Sequence, residues 1–209
     1  MSPRIYDNRN REAAARSTKR RILTAAHRLF IDLGYAATTV AAIAREAEVS
    51  EQTVYGQFGG KAGVLKGVYD VTLAGDDADV PMAERPEFRR MAEAADMDEL
   101  LEAYAALART VTTRLSSMLP LIYGSRAVEP DLDALARTAA EERRFGARAF
   151  AAHVVARGFT REGLDEEFVA ELLWVLNSPE TYLLLKQSNG LDDEGYQAWL
   201  LRALRTTLT

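Results

Sequence analysis

The chain contains no cysteine, which excludes a disulfide framework, a thiolate metal site and a thiol nucleophile. Its only histidines, His27 and His153, leave little for a histidine-rich centre, so neither metal nor cofactor is expected. No apolar run approaches the roughly 18 residues that span a bilayer. The opening residues, Met1 to Asp7, are polar and charged and lack the apolar core of a secretory signal, so a cytoplasmic location is expected. With 209 residues, 48% hydrophobic and 27% charged, the chain is long and apolar enough to fold as one or two domains.

The net charge of −5 averages two unlike parts. Residues 1–74 hold 11 Lys/Arg against 7 Asp/Glu, whereas the remainder holds 15 against 24. Residues 1–28 alone carry eight Lys/Arg against Asp7 and Glu12. A basic head on an acidic body suits a local contact with a polyanion, because such attraction is screened beyond about 10 Å. A solvated basic tail fits the same charges.

The apolar periodicity is helical almost throughout, without strand alternation, so an all-α fold is expected. A first helix is predicted over 17–33, with Ile22, Ala26, Leu29, Phe30 and Leu33 on one stripe and Gly34 as its stop. Thr38 or Thr39 then caps a short helix that buries Val40, Ile43, Ala44 and Ala47, and Ser50 caps a second, 51–57. A further helix follows Gly59-Gly60. Residues 75–96, with Pro81 and Pro86, read as linker, in which Phe88 to Met91 can form a helical turn. Asp96 and Glu99 form a capping box for a long helix that Pro120 ends or kinks. Helices over 131–157, 165–188 with a restart at Pro179, and 192–208 complete the chain.

Two short helices joined by a tight turn and braced by a longer one describe a helix-turn-helix, whose second helix enters the major groove of DNA. The residues here resemble those of the TetR family of transcriptional regulators. The match runs through Ile22-Leu23, Ala25-Ala26, Leu29-Phe30, Gly34-Tyr35, Thr38-Thr39-Val40, Ile43-Ala44, Ala47, Val49-Ser50, Val54-Tyr55, Phe58 and Lys61, about 45 residues in order and spacing. The resemblance implies a three-helix DNA-binding domain at 1–74, a helical ligand-binding and dimerisation domain at 75–209, and a bacterial homodimer acting on double-stranded DNA. Most such proteins are repressors released by a small molecule.

Residue chemistry supplies the roles. Thr39, at a helix N-terminus, can hold a phosphate beside unpaired N–H groups or serve as a cap alone. Tyr55 can donate its phenol to a phosphate, Lys61 adds a cation, and Ser50 is a cap that can also touch a phosphate. Gln52, Thr53 and Gln57 suit base reading, glutamine for adenine and the threonine methyl for thymine, or stand as idle surface residues. Arg16, Lys19 and Arg20 can add contacts from the arm.

Four departures from the family pattern stand out: Glu48 replaces a turn glycine, Glu51 sets a negative charge at the start of the second short helix, Gly56 interrupts that helix, and Gly59-Gly60 replaces the usual Pro-Ser. The run from Gly56 to Ala62 only superficially resembles a P-loop, because Tyr55 and Ala62 occupy positions that need glycine and Ser/Thr.

In the body, Phe168 to Leu176 is apolar on nearly all sides and must be buried on two faces. Phe168, Leu172 and Val175, with Tyr196, Trp199, Leu200, Ala203 and Leu204, are the expected dimer interface; a monomer core is the alternative. Residues 173–205 also resemble the C-terminal region of some actinobacterial TetR-type proteins. Tyr104, Met118, Tyr123, Phe145, Phe150, His153, Trp174 and Asn177 mix aromatic surface with a few polar groups and are the candidates for a pocket that takes a hydrophobic or aromatic effector, or they are ordinary core.

No nucleophile elbow or histidine pair at metal spacing is present, and Glu141-Glu142 and Glu166-Glu167 read as solvated helix faces. An enzyme is therefore not expected. The alternatives are a DNA-binding regulator that needs no small-molecule ligand and, behind it, a small helical enzyme.

Overall fold

The computed structural model describes residues 3–78 and 80–209, with side chains from Arg11 onward except that of Ala83. It divides into two compact units, Met1–Asp77 and Ala78–Thr209, and no strand occurs among the described residues.

The first unit contains α1 (Pro3–Leu33), α2 (Val40–Glu46), α3 (Glu51–Phe58) and α4 (Lys61–Ala74). Helix α1 begins well before the predicted 17: Ala13-Ala14-Ala15 and the arginines around them favour helix without needing an apolar stripe to bury. Its core face is Ile22, Leu23, Ala25, Ala26 and Phe30; Leu33, expected on the same stripe, is exposed instead. Thr38 is buried and donates to the carbonyls of Leu29 (3.1 Å) and Gly34 (2.8 Å), closing the loop after α1. That leaves Thr39 as the cap of α2, where its hydroxyl accepts from Ala42 N at 3.1 Å.

Helix α2 buries Val40, Ile43 and Ala44 as its period requires. It ends in a Schellman arrangement, with Glu48 N donating to Arg45 O and Val49 N to Ala44 O. Glu48 occupies the left-handed position, φ +53°, where glycine is usual. Helices α3 and α4 approach so closely that a Cβ on Gly63 would lie 1.8 Å from the carbonyl oxygen of Phe58, so no side chain fits there. Gly67 likewise leaves room for the Phe58 ring and Leu23.

The second unit contains α5 (Pro86–Ala92), α6 (Met97–Leu115), α7 (Met118–Ser125), α8 (Pro130–Ala156), α9 (Glu166–Leu176), α10 (Pro179–Leu183) and α11 (Asp193–Leu208). Helix α5 lies within the stretch read as linker and packs on α6. The capping box differs in one bond: Asp96 accepts from Glu99 N, but the Glu99 carboxylate accepts from Ala95 N. The break expected at Pro120 falls earlier, at Ser116-Ser117, and Pro120 sits in the first turn of α7, where its missing N–H costs nothing. Helix α8 stops before Gly158 with a second Schellman arrangement, Phe159 N to Val154 O and Gly158 N to Val155 O. Ser178 caps the restart at α10 through Thr181 N. A π-helical turn, Leu184–Ser188, then leads to α11.

Helices α6 and α11 pack together, as do α8 and α9. Leu100, Leu101, Met118, Ile122, Leu132, Leu173, Tyr182, Tyr196, Leu200 and Leu204 form the centre of this unit.

Candidate nucleic-acid interface

Helix α3 is anchored to its unit by Val54, which is fully buried, and its other side chains are placed around that anchor. At roughly 100° per residue, Gln52 and Gly56 lie on the line most remote from Val54. Tyr55 and Glu51 flank that line on one side, Thr53 and Gln57 on the other. Gln52, Tyr55 and Gln57 are exposed, and Thr53 is half-exposed. Gln52 therefore stands on the outward ridge, whereas Gln57 stands on a flank. Ser50 caps α3, accepting from Thr53 N at 3.1 Å, and its hydroxyl pairs with that of Thr53 at 2.8 Å. The Thr53 hydroxyl is thus engaged within the cap.

Lys61 begins α4 without a side-chain cap before it, because Gly60 occupies that position. Its Nζ donates to the Tyr35 carbonyl at 2.9 Å and lies 4.0 Å from the centroid of the Tyr35 ring. One of three ammonium donors is committed to the fold, leaving two. Arg16 and Lys19 are exposed on α1; Arg20 lies 3.7 Å from the Asp77 carboxylate. Arg4 and Arg9, the first cations of the basic head, lie among residues 3–10, whose side chains are outside those described. Nearby acidic residues are paired too: Glu48 lies 3.8 Å from Arg21, and Glu46 pairs with Arg28.

In the second unit, the structure brings together some of the predicted effector residues and separates others. Tyr104 and Phe150 meet edge to face, with centroids 4.8 Å apart. Asn177 joins them: its amide donates to Tyr104 Oη at 3.2 Å, and its Oδ1 accepts from Tyr196 Oη at 3.2 Å. Arg143 reaches the carbonyls of Trp174 and Asn177, each at 3.4 Å, and Trp174 Nε1 donates to Ala140 O at 3.2 Å. Burial pushes the Tyr104 phenol up to about 12, against the opposing pulls of the Asn177 hydrogen bond and the Arg143 charge. Burial also raises Tyr196, helped by the neighbouring phenols of Tyr104 and Tyr182. His153 is half-buried, and its Nε2 is buried with no hydrogen-bond partner.

The others stand apart from this chain of hydrogen bonds. Met118 is fully buried core, Tyr123 is half-buried beside Arg126, and Phe145 is 79% exposed. An exposed ring cannot line an enclosed pocket within its own subunit, which corrects the expectation for Phe145. Tyr196 and Arg143 are the members that sequence reasoning missed. Tyr196 carried a signal, a phenol on an apolar stripe, but the stripe suggested an interface.

The expected interface also divides. Tyr196, Leu200 and Leu204 are buried inside the unit and leave no surface for a second chain, a correction that follows from α11 packing on α6 and α9. Phe168 and Val175 on α9 are 45% and 52% exposed, with Leu172 half-buried between them; Trp199 and Ala203 are half-buried. No group of three or more potential metal ligands and no helix long and apolar enough to cross a membrane occurs among the described residues.

Two short helices, each capped by a hydroxyl, with the second turning a polar ridge away from its buried anchor, define a helix-turn-helix DNA-binding protein. Residues 22–68 match the model for bacterial regulatory proteins of the tetR family. Over those residues the chain is similar to TetR-family transcriptional regulators. It is 26% identical over 189 residues to the uncharacterized HTH-type transcriptional regulator YdeS of Bacillus subtilis, covering 90% of this chain and 88% of that protein. Its fold is similar to that of NalD, the secondary repressor of the MexAB-OprM multidrug efflux pump in Pseudomonas aeruginosa. That likeness has a TM-score of 0.63 at 18% identity over 93% of this chain and 98% of NalD. It is also similar to the fatty acid degradation regulator FadR from Bacillus halodurans, with a TM-score of 0.61 at 16% identity over 89% and 93% of the two chains.

Proposed function

We propose that this regulator is a homodimeric repressor that binds a roughly palindromic operator and is released by a small hydrophobic or aromatic effector held in its second unit. The observation that carries the DNA-reading part is the outward ridge of α3, with Gln52 at its head, beside the exposed Tyr55 ring. Gln52 and Thr53 read base edges, Gln57 reads from the flank, and Thr39, Ser50, Tyr55 and Lys61 hold the phosphates on either side. Dimerisation is supported by the exposed apolar strip of Phe168, Leu172 and Val175. A two-fold pair would set two α3 helices about one DNA turn apart.

The effector reading rests on the Tyr104–Asn177–Tyr196 hydrogen bonds and the unpartnered His153 Nε2, polar groups set in an apolar helical unit. An effector that exchanges those bonds for its own favours one conformation of the unit over another, which is what release from DNA requires. Repression is supported by the likeness to NalD, a repressor of similar fold.

Selection of duplexes from a random pool by the purified protein tests this reading. The expected result is an enriched palindrome with half-sites about ten base pairs apart. Retention of no duplex at low salt would overturn it.

A further inference from the structure

We propose that Gly56 is a specificity-determining position: its missing side chain leaves an opening on the DNA face of α3 that takes the 5-methyl group of a thymine. The inference rests on the reading of α3 as the element that enters the major groove, and it assigns a role to a residue that reading leaves unused.

A glycine inside an eight-residue helix weakens it, so some other requirement must favour its presence. Other glycines of this unit show such requirements internally. Gly63 and Gly67 have Phe58 where a Cβ would go, and Gly59 and Gly60 adopt positive φ angles of 73° and 139°. Gly56 shows neither. Its backbone is helical, and an added Cβ meets nothing within 4 Å. Gly124 and Gly146 share that openness, but Gly56 alone of the three stands on α3. Nothing inside the unit fills or needs the space.

The position of the space is informative. Gly56 lies on the outermost line of α3, one turn after Gln52 and opposite the buried Val54. Helical side chains lean toward the N-terminus, so a side chain at 56 would lie over the Gln52–Thr53 turn. Its absence uncovers the backbone and the flanks of the two residues best suited to read bases. Among the groups that base pairs present in the major groove, the thymine methyl is the compact apolar one, small enough to approach the uncovered backbone where a Cβ would otherwise stand. Adenine paired with that thymine also offers the N6 and N7 atoms that Gln52 suits, so one A·T pair satisfies both neighbours.

The test uses the full-length protein and the palindrome it selects. Each half-site thymine is replaced in turn by uracil, which removes only the methyl, and binding is compared for the wild type and Gly56→Ala. The wild type is expected to lose about fourfold in affinity at one thymine, the worth of a single buried methyl group. Gly56→Ala should bind the thymine site more weakly than the wild type and should no longer distinguish thymine from uracil there. Because alanine favours the helix, its unfolding midpoint should rise, which separates lost recognition from lost folding. Wild-type affinity in Gly56→Ala, with every uracil effect retained, would overturn the assignment while leaving the DNA-reading role intact. Failure of the wild type to select any duplex would overturn both.

Discussion

Lys61 Nζ donates to the carbonyl of Tyr35 at 2.9 Å while lying 4.0 Å from the centroid of the same residue's ring. Tyr35 is itself buried and tilted against Phe30, with ring centroids 5.4 Å apart. One lysine therefore ties the start of α4 to the loop after α1 and so fixes the frame in which α2 and α3 sit. Replacement by alanine removes a charged hydrogen bond and a cation–π contact, together worth about 1–3 kcal/mol. Lys61→Ala should lower the denaturation midpoint accordingly. If the two remaining ammonium donors hold a phosphate, as proposed, the slope of log affinity against log salt should also fall by about one. A lowered midpoint with an unchanged slope would confine Lys61 to the fold.

Glu48 sits at φ +53° in the turn between α2 and α3, a conformation that costs a non-glycine residue about 1–2 kcal/mol. Its carboxylate lies 3.8 Å from Arg21, but both side chains are largely exposed and such pairs contribute little. Glu48→Gly relieves the strain and gives back part of it as the entropy of a freer unfolded chain. The expected net gain is about 0.5–1 kcal/mol, read from the denaturation midpoint. An unchanged or lower midpoint would show that the turn stabilises Glu48 through some other contact.

These two positions mark what local sequence can and cannot reveal. The caps at Ser50 and Asp96 and the stop before Gly158 are legible because each is decided within one turn of chain. The same holds for the buried line of Val40, Ile43 and Ala44. Periodicity shows that a helix has an apolar face but not what covers it. Hence Tyr196, Leu200 and Leu204 look as available to a partner as Phe168 and Val175, although the first three are sealed by their own chain. The Asn177 bridge joins residues 73 and 19 positions away, and no local pattern announces it. The early helical start of α1 has another cause: a helix with no core to face carries no period.

The phenols of the second unit give it a pH dependence with a definite sign. The Tyr104 pKa is raised by burial from 10.0 to about 12, and those of Tyr196 and Tyr182 are raised as well, again mainly by burial. Between those limits the unfolded chain has released the Tyr104 proton and the folded one still holds it. The unfolded state thus binds fewer protons, and stability falls as pH rises from about 10 to about 12. Denaturation midpoints measured across that range should decline steadily. Tyr104→Phe, which removes the titrating group, should make the decline shallower; an equally steep decline would place the effect on other residues.

The strip on α9 allows a sharp comparison between surface and core. Val175 is 52% exposed in the single chain, whereas Leu200 on α11 is fully buried. Placing an arginine at 175 costs the isolated subunit little, because its head can remain in water. In a dimer that covers α9 the same charge is desolvated without a partner, a cost of roughly 3 kcal/mol or more. Val175→Arg should therefore weaken self-association about a hundredfold or more while leaving the unfolding of the monomer nearly unchanged. Affinity for a palindrome should fall toward that for a single half-site. Leu200→Ala should behave in the opposite way, losing about 2–5 kcal/mol of stability through the cavity it leaves, with no selective effect on association. Sedimentation equilibrium of the two variants, followed by their thermal unfolding, separates the cases; a Val175→Arg protein that still self-associates like the wild type would place the interface on another face.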